Sequence, residues 1–178
     1  AASQDHVAMQ IMDHAGRQAP LDQLVARAES QLFADPAYRE ELAQWIGEGA
    51  LGTRWLVSKL GQLAMQHLPG KNRLSQAETG WLASAPHVAL LSSPDDSRDS
   101  QVRAGQMYLR LALLCESRDI RTQPVSAPLE IPETRAALAA AFGIGSRAAQ
   151  MFFRLGYAPP EKARTSRRPL AEMMVREE

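Results

Sequence analysis

Within seven residues near the end of the chain, in the stretch QMFFRLGYAPPEKARTSRRPLAEMM, stand four cations: Lys162, Arg164, Arg167 and Arg168. Such a cluster has the chemistry to hold an anion. The competing reading is a solvated tail, whose charge is offset by Glu161, Glu172, Glu177 and Glu178. The whole chain balances 20 Lys+Arg against 20 Asp+Glu. A general nucleic-acid binder needs a wide basic face, which this neutrality argues against. Any functional positive charge is therefore local, and the tail is its best candidate.

Other reactive residue types read more plainly. Asp5-His6 and Asp13-His14 invite a metal, but histidines eight apart on a helix lie two turns, about 12 Å, from each other. His67 and His87 have no partner at ligand spacing. Cys115 is the single cysteine, so no intrachain disulfide is available. It stands in apolar helical sequence and reads as core rather than as a redox thiol, which fits a cytoplasmic setting. Gly143-Ile144-Gly145-Ser146 follows a helix and leads towards a strand. That is the reverse of the dinucleotide fingerprint, so these glycines read as a helix stop. No Ser-His-Asp or paired-carboxylate arrangement stands out.

The elements that position these residues follow from periodicity. The chain has 178 residues, 45% of them hydrophobic, enough for one domain with a real core. No apolar run approaches the roughly 18 residues of a membrane span, and no targeting segment is visible after Ala1-Ala2-Ser3. Leu21, Leu24, Val25 and Ala28 share one helical face. Asp35 reads as an N-cap before Pro36, opening a helix through Tyr38, Leu42, Trp45 and Ile46. Further helices are expected through Trp55–Leu63 and, from a capping box at Ser75 and Glu78, through Trp81 and Leu82.

HVALLSS, residues 87–93, reads as a buried strand. The longest helix follows, from about Asp99 to Glu116, and its MYLRLALLC is apolar almost all round, so burial on several sides is expected. Pro124, Pro128 and Pro132 break the next stretch, and Pro132 starts another helix. QMFFRLGY is the second strand. The expected organisation is a helical connecting region over 1–85 and a C-terminal half-domain with a basic tail over 86–178. Two strands make a marginal sheet, so a missing surface is implied.

Taken in order, HVALLSS, RAGQMYLRLALLCES, RTQPVSAPLEIPETR, AAQMFFRLGYAP and TSRRPLAEMM resemble the C-terminal half of the nitroreductase-like flavoproteins. The likeness covers roughly residues 30–175 and is nearest to the internally duplicated, Acg-type branch. The resemblance implies an α+β fold, with helices packed around an antiparallel sheet that a partner or a missing N-terminal half completes. The long helix would lie at a homodimer or pseudo-dimer interface, with FMN in the cleft between halves. The family's N-terminal arginine-rich or Ala-Pro-Ser-type segment does not stand before residue 30.

The resemblance also assigns the tail. Basic residues before a terminal Pro-Leu contact the FMN phosphate in the family, and here they match Arg167 and Arg168. A planar guanidinium suits that task, because it donates two hydrogen bonds to a phosphate. The turn Gln123-Pro124-Val125-Ser126-Ala127 matches the one that passes the reactive edge of the flavin. Pro124, Val125, Ser126 and Ala127 are therefore expected at the cofactor, where small residues let backbone approach a ring. The alternative for this turn is a proline-rich connector.

The activity implied is FMN-dependent oxidation of NADH or NADPH, with hydride passing through flavin N5 to a small electron-poor acceptor. The cofactor carries that chemistry, so no catalytic side chain is named. Two alternatives remain: a protein that binds or sequesters flavin without turnover, and a degenerate half-domain used only in assembly. No metal, nucleic acid or membrane enters any of these readings.

Overall fold

A computed structural model describes residues 6–13, 18–47 and 82–159. The helix expected over Trp55–Leu63, the capping box at Ser75 and Glu78, and the basic tail lie outside these residues. The order along the chain is β1 (Ala8–Asp13), α1 (Gln18–Ala34), α2 (Pro36–Gly47), a 3-10 turn (Leu82–Ser84), β2 (His87–Ser93) and α3 (Arg98–Glu116). Then come β3 (Ile120–Pro124), α4 (Ala127–Glu130), α5 (Pro132–Ala141) and β4 (Ala148–Tyr157). The chain divides into two compact units, Ala1–Ala34 with Asn72–Pro159, and Asp35–Lys71 with Pro160–Glu178.

The first unit is a four-stranded sheet in the order β1-β2-β4-β3. Every pairing is antiparallel. β2 pairs with β1 from Ala8↔Ser92 to Asp13↔His87, and with β4 from His87↔Leu155 to Ser93↔Ala148. The expected pair of strands is thus β2 and β4, at the centre. The two further strands, β1 and β3, were not legible in the sequence pattern. Both are sheet edges, and their residues are half-buried or exposed, so neither carries the apolar run that marks a central strand. Part of the surface that two strands would lack is therefore supplied by this chain itself.

Alternate residues of the central strands face opposite layers. Val88 and Leu90 of β2 and Phe152 of β4 pack with Leu21, Leu24 and Val25 of α1 and Leu138 of α5. The expected face of α1 is buried, including Ala28. Ala89, Leu91 and Phe153 pack on the other face against Tyr108 and Leu111 of α3. The Tyr108 and Phe153 rings meet edge-on, with centroids 5.2 Å apart. Burying a large aliphatic or aromatic side chain stabilises by about 1.5–3 kcal/mol, so these two clusters dominate the packing.

The helix boundaries follow local chemistry. Ser97 caps α3, its Oγ accepting from Ser100 N at 3.3 Å. Pro132 occupies the first position of α5, and Gly143 and Gly145 end that helical region at φ +63° and +64°, where a side chain would be strained. In the second unit, Asp35 Oδ1 accepts from Ala37 N at 2.9 Å, so it caps α2 as expected.

The long helix departs from expectation. Within this chain α3 buries Ala104 and Cys115 on its sheet side, while Val102, Leu109, Leu113 and Leu114 are exposed. Its apolar residues run all round, but one side only meets the sheet. No described helix is long and apolar enough to cross a membrane.

β4 ends against a close contact. A Cβ built on Gly156 would lie 2.5 Å from Pro86 Cδ and 3.0 Å from Pro86 Cγ. A proline ring cannot rotate aside as a flexible side chain does. Gly156→Ala is therefore expected to destabilise the chain by about 1–3 kcal/mol, the usual cost of overpacking. Chemical denaturation checks this, and an unchanged midpoint would show that the 84–86 turn moves freely.

Candidate functional site

The turn that was expected to meet a cofactor forms at the end of the β3 edge. β3 stops at Pro124, which has no N–H to continue a ladder. Val125 turns inward, buried, and its N–H donates to Phe152 O at 2.8 Å. Pro124 and Ser126 stay exposed, and Ala127 is half-buried at the start of α4. Ser126 precedes α4 without a side-chain capping bond. The turn is anchored from below: Pro128 is buried, and Thr134 Oγ1 donates to Pro128 O and Ile131 O, both at 3.0 Å. Pro124, Val125, Ser126 and Ala127 thus form one rigid bend with a small-residue outer surface. Arg167 and Arg168 lie outside the described residues.

A cleft of about 140 Å³ opens beside the same strand, lined by Ser84, Pro86, Arg121, Gln123, Arg154 and Tyr157 among others. Arg121 stands opposite Gly156, and Gln123 opposite Arg154, which puts these side chains on one face of the sheet. Arg154 donates through Nε and Nη2 to Gln123 Oε1 at 2.9 and 2.6 Å, and through Nη1 to Ser84 Oγ at 2.7 Å. Arg121 Nη1 pairs with Glu116. That hydrogen-bonded carboxylate pushes the Arg121 guanidinium's pKa further up. Of these residues only Gln123, at the start of the expected cofactor turn, was singled out from sequence. Arg121 sits on an edge strand that the pattern hides, but a lone arginine inside the apolar QMFFRLGY was a usable signal for Arg154.

No protein-family model matches the sequence, and no curated protein matches it. Solved structures do. The FMN-dependent nitroreductase NfnB from Mycobacterium smegmatis, in complex with NADPH, superposes with a TM-score of 0.61 at 16% identity, over 97% of this chain and 79% of that one. A mutant of the FMN- and NADPH-dependent nitroreductase NfnB from Sphigopyxis sp. strain HMH gives 0.59 at 16% identity, over 97% and 80%. The fold is nitroreductase-like. A BluB-like flavoprotein from Clostridium difficile 630 shares it more loosely, with a TM-score of 0.50 at 11% identity, over 97% of this chain and 80% of that one.

The opposite end of this nitroreductase-like sheet is closed by a polar clamp. Arg135 of α5 donates from Nη1 to Asp96 Oδ2 at 2.8 Å and from Nη2 to Asp96 Oδ1 at 3.0 Å. Its Nε and Nη2 also reach Ala149 O at 3.0 and 2.7 Å. Gln150 Nε2 donates to Ser93 Oγ and to Asp96 Oδ1. Asp95 accepts from Ser100 Oγ at 2.6 Å and Ser97 Oγ at 2.7 Å, and these bonds, Ser100 first, lower its pKa to about 2. The whole constellation ties loop 94–97 to α3, α5 and β4, so its part is structural.

The remaining histidine, aspartate and cysteine positions have plain surroundings. His87, without a partner at sequence spacing, meets Asp13 Oδ1 through Nδ1 at 2.8 Å, across the β1–β2 ladder. Asp13 ends a strand rather than lying on a helix, so the helical spacing argument does not apply there. Cys115 is buried as expected, and desolvation pushes its thiol up, away from reactivity. Among the described residues no group of three His, Cys, Asp or Glu is placed to hold a metal.

The clamp sets an acid response. The Arg135 hydrogen bond holds the Asp96 carboxyl at about 2, below its ordinary 3.8. A depressed carboxyl contributes stability above its unfolded value, and loses it as pH falls through the folded one. The window is therefore about pH 4 to 2. The Asp96 side chain is 45% exposed, so solvent screening limits the contribution to roughly 0.5–1 kcal/mol. Asp96→Asn should be less stable by that amount at neutral pH and converge with the parent near pH 2. Parallel acid titrations of unfolding would reject the clamp by showing a constant gap.

Proposed function

We propose that this chain belongs to an FMN-dependent NAD(P)H oxidoreductase of the nitroreductase type. The observation that carries the reading is the superposition of 97% of the chain on an FMN-dependent nitroreductase, together with the bend at 124–127. That bend fits a flavin edge: it is exposed, its side chains at Ser126 and Ala127 are small, and the Ser126 hydroxyl is not spent on capping α4. When bound, FMN would supply hydride acceptance and donation at N5, between NADH or NADPH and a small electron-poor acceptor.

The chain's own residues supply position and exclusion of water. Pro124 stiffens the approach to the bend, and Val125 locks it to β4. Pro124, Val125, Ser126 and Ala127 would line the ring's edge, where backbone can come close. Arg167 and Arg168, before Pro169-Leu170, would hold the phosphate by charge-assisted hydrogen bonds. The likeness of PLEIPETR and RRPL to the Acg-type branch supports a cleft with a second wall from a partner chain or a further half.

The exposed side of α3 supports the same arrangement. Leu109 and Leu113 are 60% and 63% exposed within this chain. We place this side against a second copy or a pseudo-dimeric half.

Two measurements test the reading. Arg167→Ala with Arg168→Ala should weaken FMN binding by about 2–4 kcal/mol, the loss of one or two charge-assisted bonds; equal affinity in a fluorescence titration would leave the tail merely solvated. NAD(P)H oxidation beside that titration separates an enzyme from a protein that only stores flavin. Leu113→Glu tests the second wall. On a solvated helix it costs almost nothing, whereas in an interface an unpaired carboxylate is expensive. Light scattering should show a loss of mass or thermal denaturation a loss of stability, and unchanged values would place α3 in solvent.

A further inference from the structure

We propose that the cleft between the β3–β4 edge and the Ser84–Pro86 turn binds one oxyanion group, a phosphate or a carboxylate, with Arg121 as its receiver. Three observations converge on this. The lining brings two guanidiniums together with the Ser84 and Gln123 side chains, and no carboxylate stands among the lining residues. The volume, about 140 Å³, is well below the 300–1,000 Å³ that enclose a drug-sized ligand. It suits a single group rather than a whole flavin or dinucleotide.

The third observation concerns an orphan donor. Arg121 Nε is buried and has no hydrogen-bond acceptor. A buried donor without an acceptor is unfavourable, and more so on a charged group. A guanidinium offers five N–H donors in a fixed fork, and Glu116 engages Nη1, so an acceptor held in the cleft would take Nε once the Arg121 side chain turns towards it.

The surroundings are already ordered for such a ligand. Arg154 is held by Gln123 and Ser84. Pro86 packs so closely on Gly156 that the wall of the cleft has little freedom. Little ordering entropy would be lost on binding. Glu116, 63% exposed, competes with the ligand for Arg121. Removing its charge should therefore strengthen binding rather than weaken it. A structural ion pair with no ligand predicts no such gain.

Pro124, Val125, Ser126 and Ala127, the described residues proposed to meet the flavin, are not among the lining residues of this cleft. The test is a titration of the full chain with sodium phosphate alone, and with sodium acetate alone, followed by the backbone amide resonances of Ala85, Thr122 and Gln123 beside the cleft. A saturable shift is expected. It should weaken about tenfold or more in Arg121→Gln, the loss of one charged hydrogen bond, and tighten several-fold in Glu116→Gln. FMN affinity should stay unchanged in both variants, so failure here is distinct from failure of the flavin reading. If Arg121→Gln does not fold, the Glu116→Gln titration decides alone. Displacement of phosphate by NADP⁺ but not by NAD⁺ would assign the group to the 2′-phosphate of a nicotinamide nucleotide; displacement by neither would assign a free oxyanion. No saturable response to either anion, or a response unaltered in both variants, overturns the proposal.

Discussion

Strand β2 must be covered on both faces, and most of the fold follows from that demand. Val88 to Ser93 are all fully buried. Their alternating side chains point into two separate apolar clusters, so helices are needed on either side of the sheet. Its two edges are also occupied, by β1 and β4. A strand enclosed in four directions cannot slip in register without driving its whole apolar set out of place. The neighbouring β4 inherits that fixed register, and through β4 so does β3.

Buried polar groups on β2 are tolerated because each has a partner. Arg147 Nε donates to Ser92 Oγ at 3.1 Å, and Ser93 Oγ donates to Asp95 O at 2.6 Å. With the Asp96–Arg135 pair they close one end of the sheet by hydrogen bonds rather than by apolar contact. The other end is different in kind. There Pro86 lies on Gly156, and two arginines line an open cleft. One end of the sheet is thus satisfied and static, while the other keeps a buried donor in reserve.

The candidate cofactor contacts depend on the same arrangement. The bend at 124–127 lies on an edge strand, outside the main core. It is nonetheless rigid, because Val125 is bonded to β4 and Thr134 holds the turn below it. A mobile loop would lose order on each binding event, whereas this bend is already set. Among the described residues, the side of α3 that bears Val102, Leu109, Leu113 and Leu114, on the opposite face of the sheet, is exposed and apolar.

What the sequence determined by itself is the part written in periodicity and punctuation. The central strands, the buried face of α1, the caps at Asp35 and Pro132, and the stop at Gly143 and Gly145 all come from local chemistry that acts within a few residues. The fold class was legible too, through the ordered set of segments from HVALLSS to TSRRPL. Tertiary structure decided the rest. Edge strands such as AMQIMD and IRTQP show no strong pattern, because only one side of each is paired and neither is fully buried. The Asp13–His87 contact and the Arg121, Gln123 and Arg154 cleft join residues 31 to 74 positions apart. Such groups meet only once antiparallel pairing has set the register, and no spacing rule along the chain encodes that. The sidedness of α3 was likewise hidden, since an apolar helix looks the same in sequence whether the sheet or a second surface covers it.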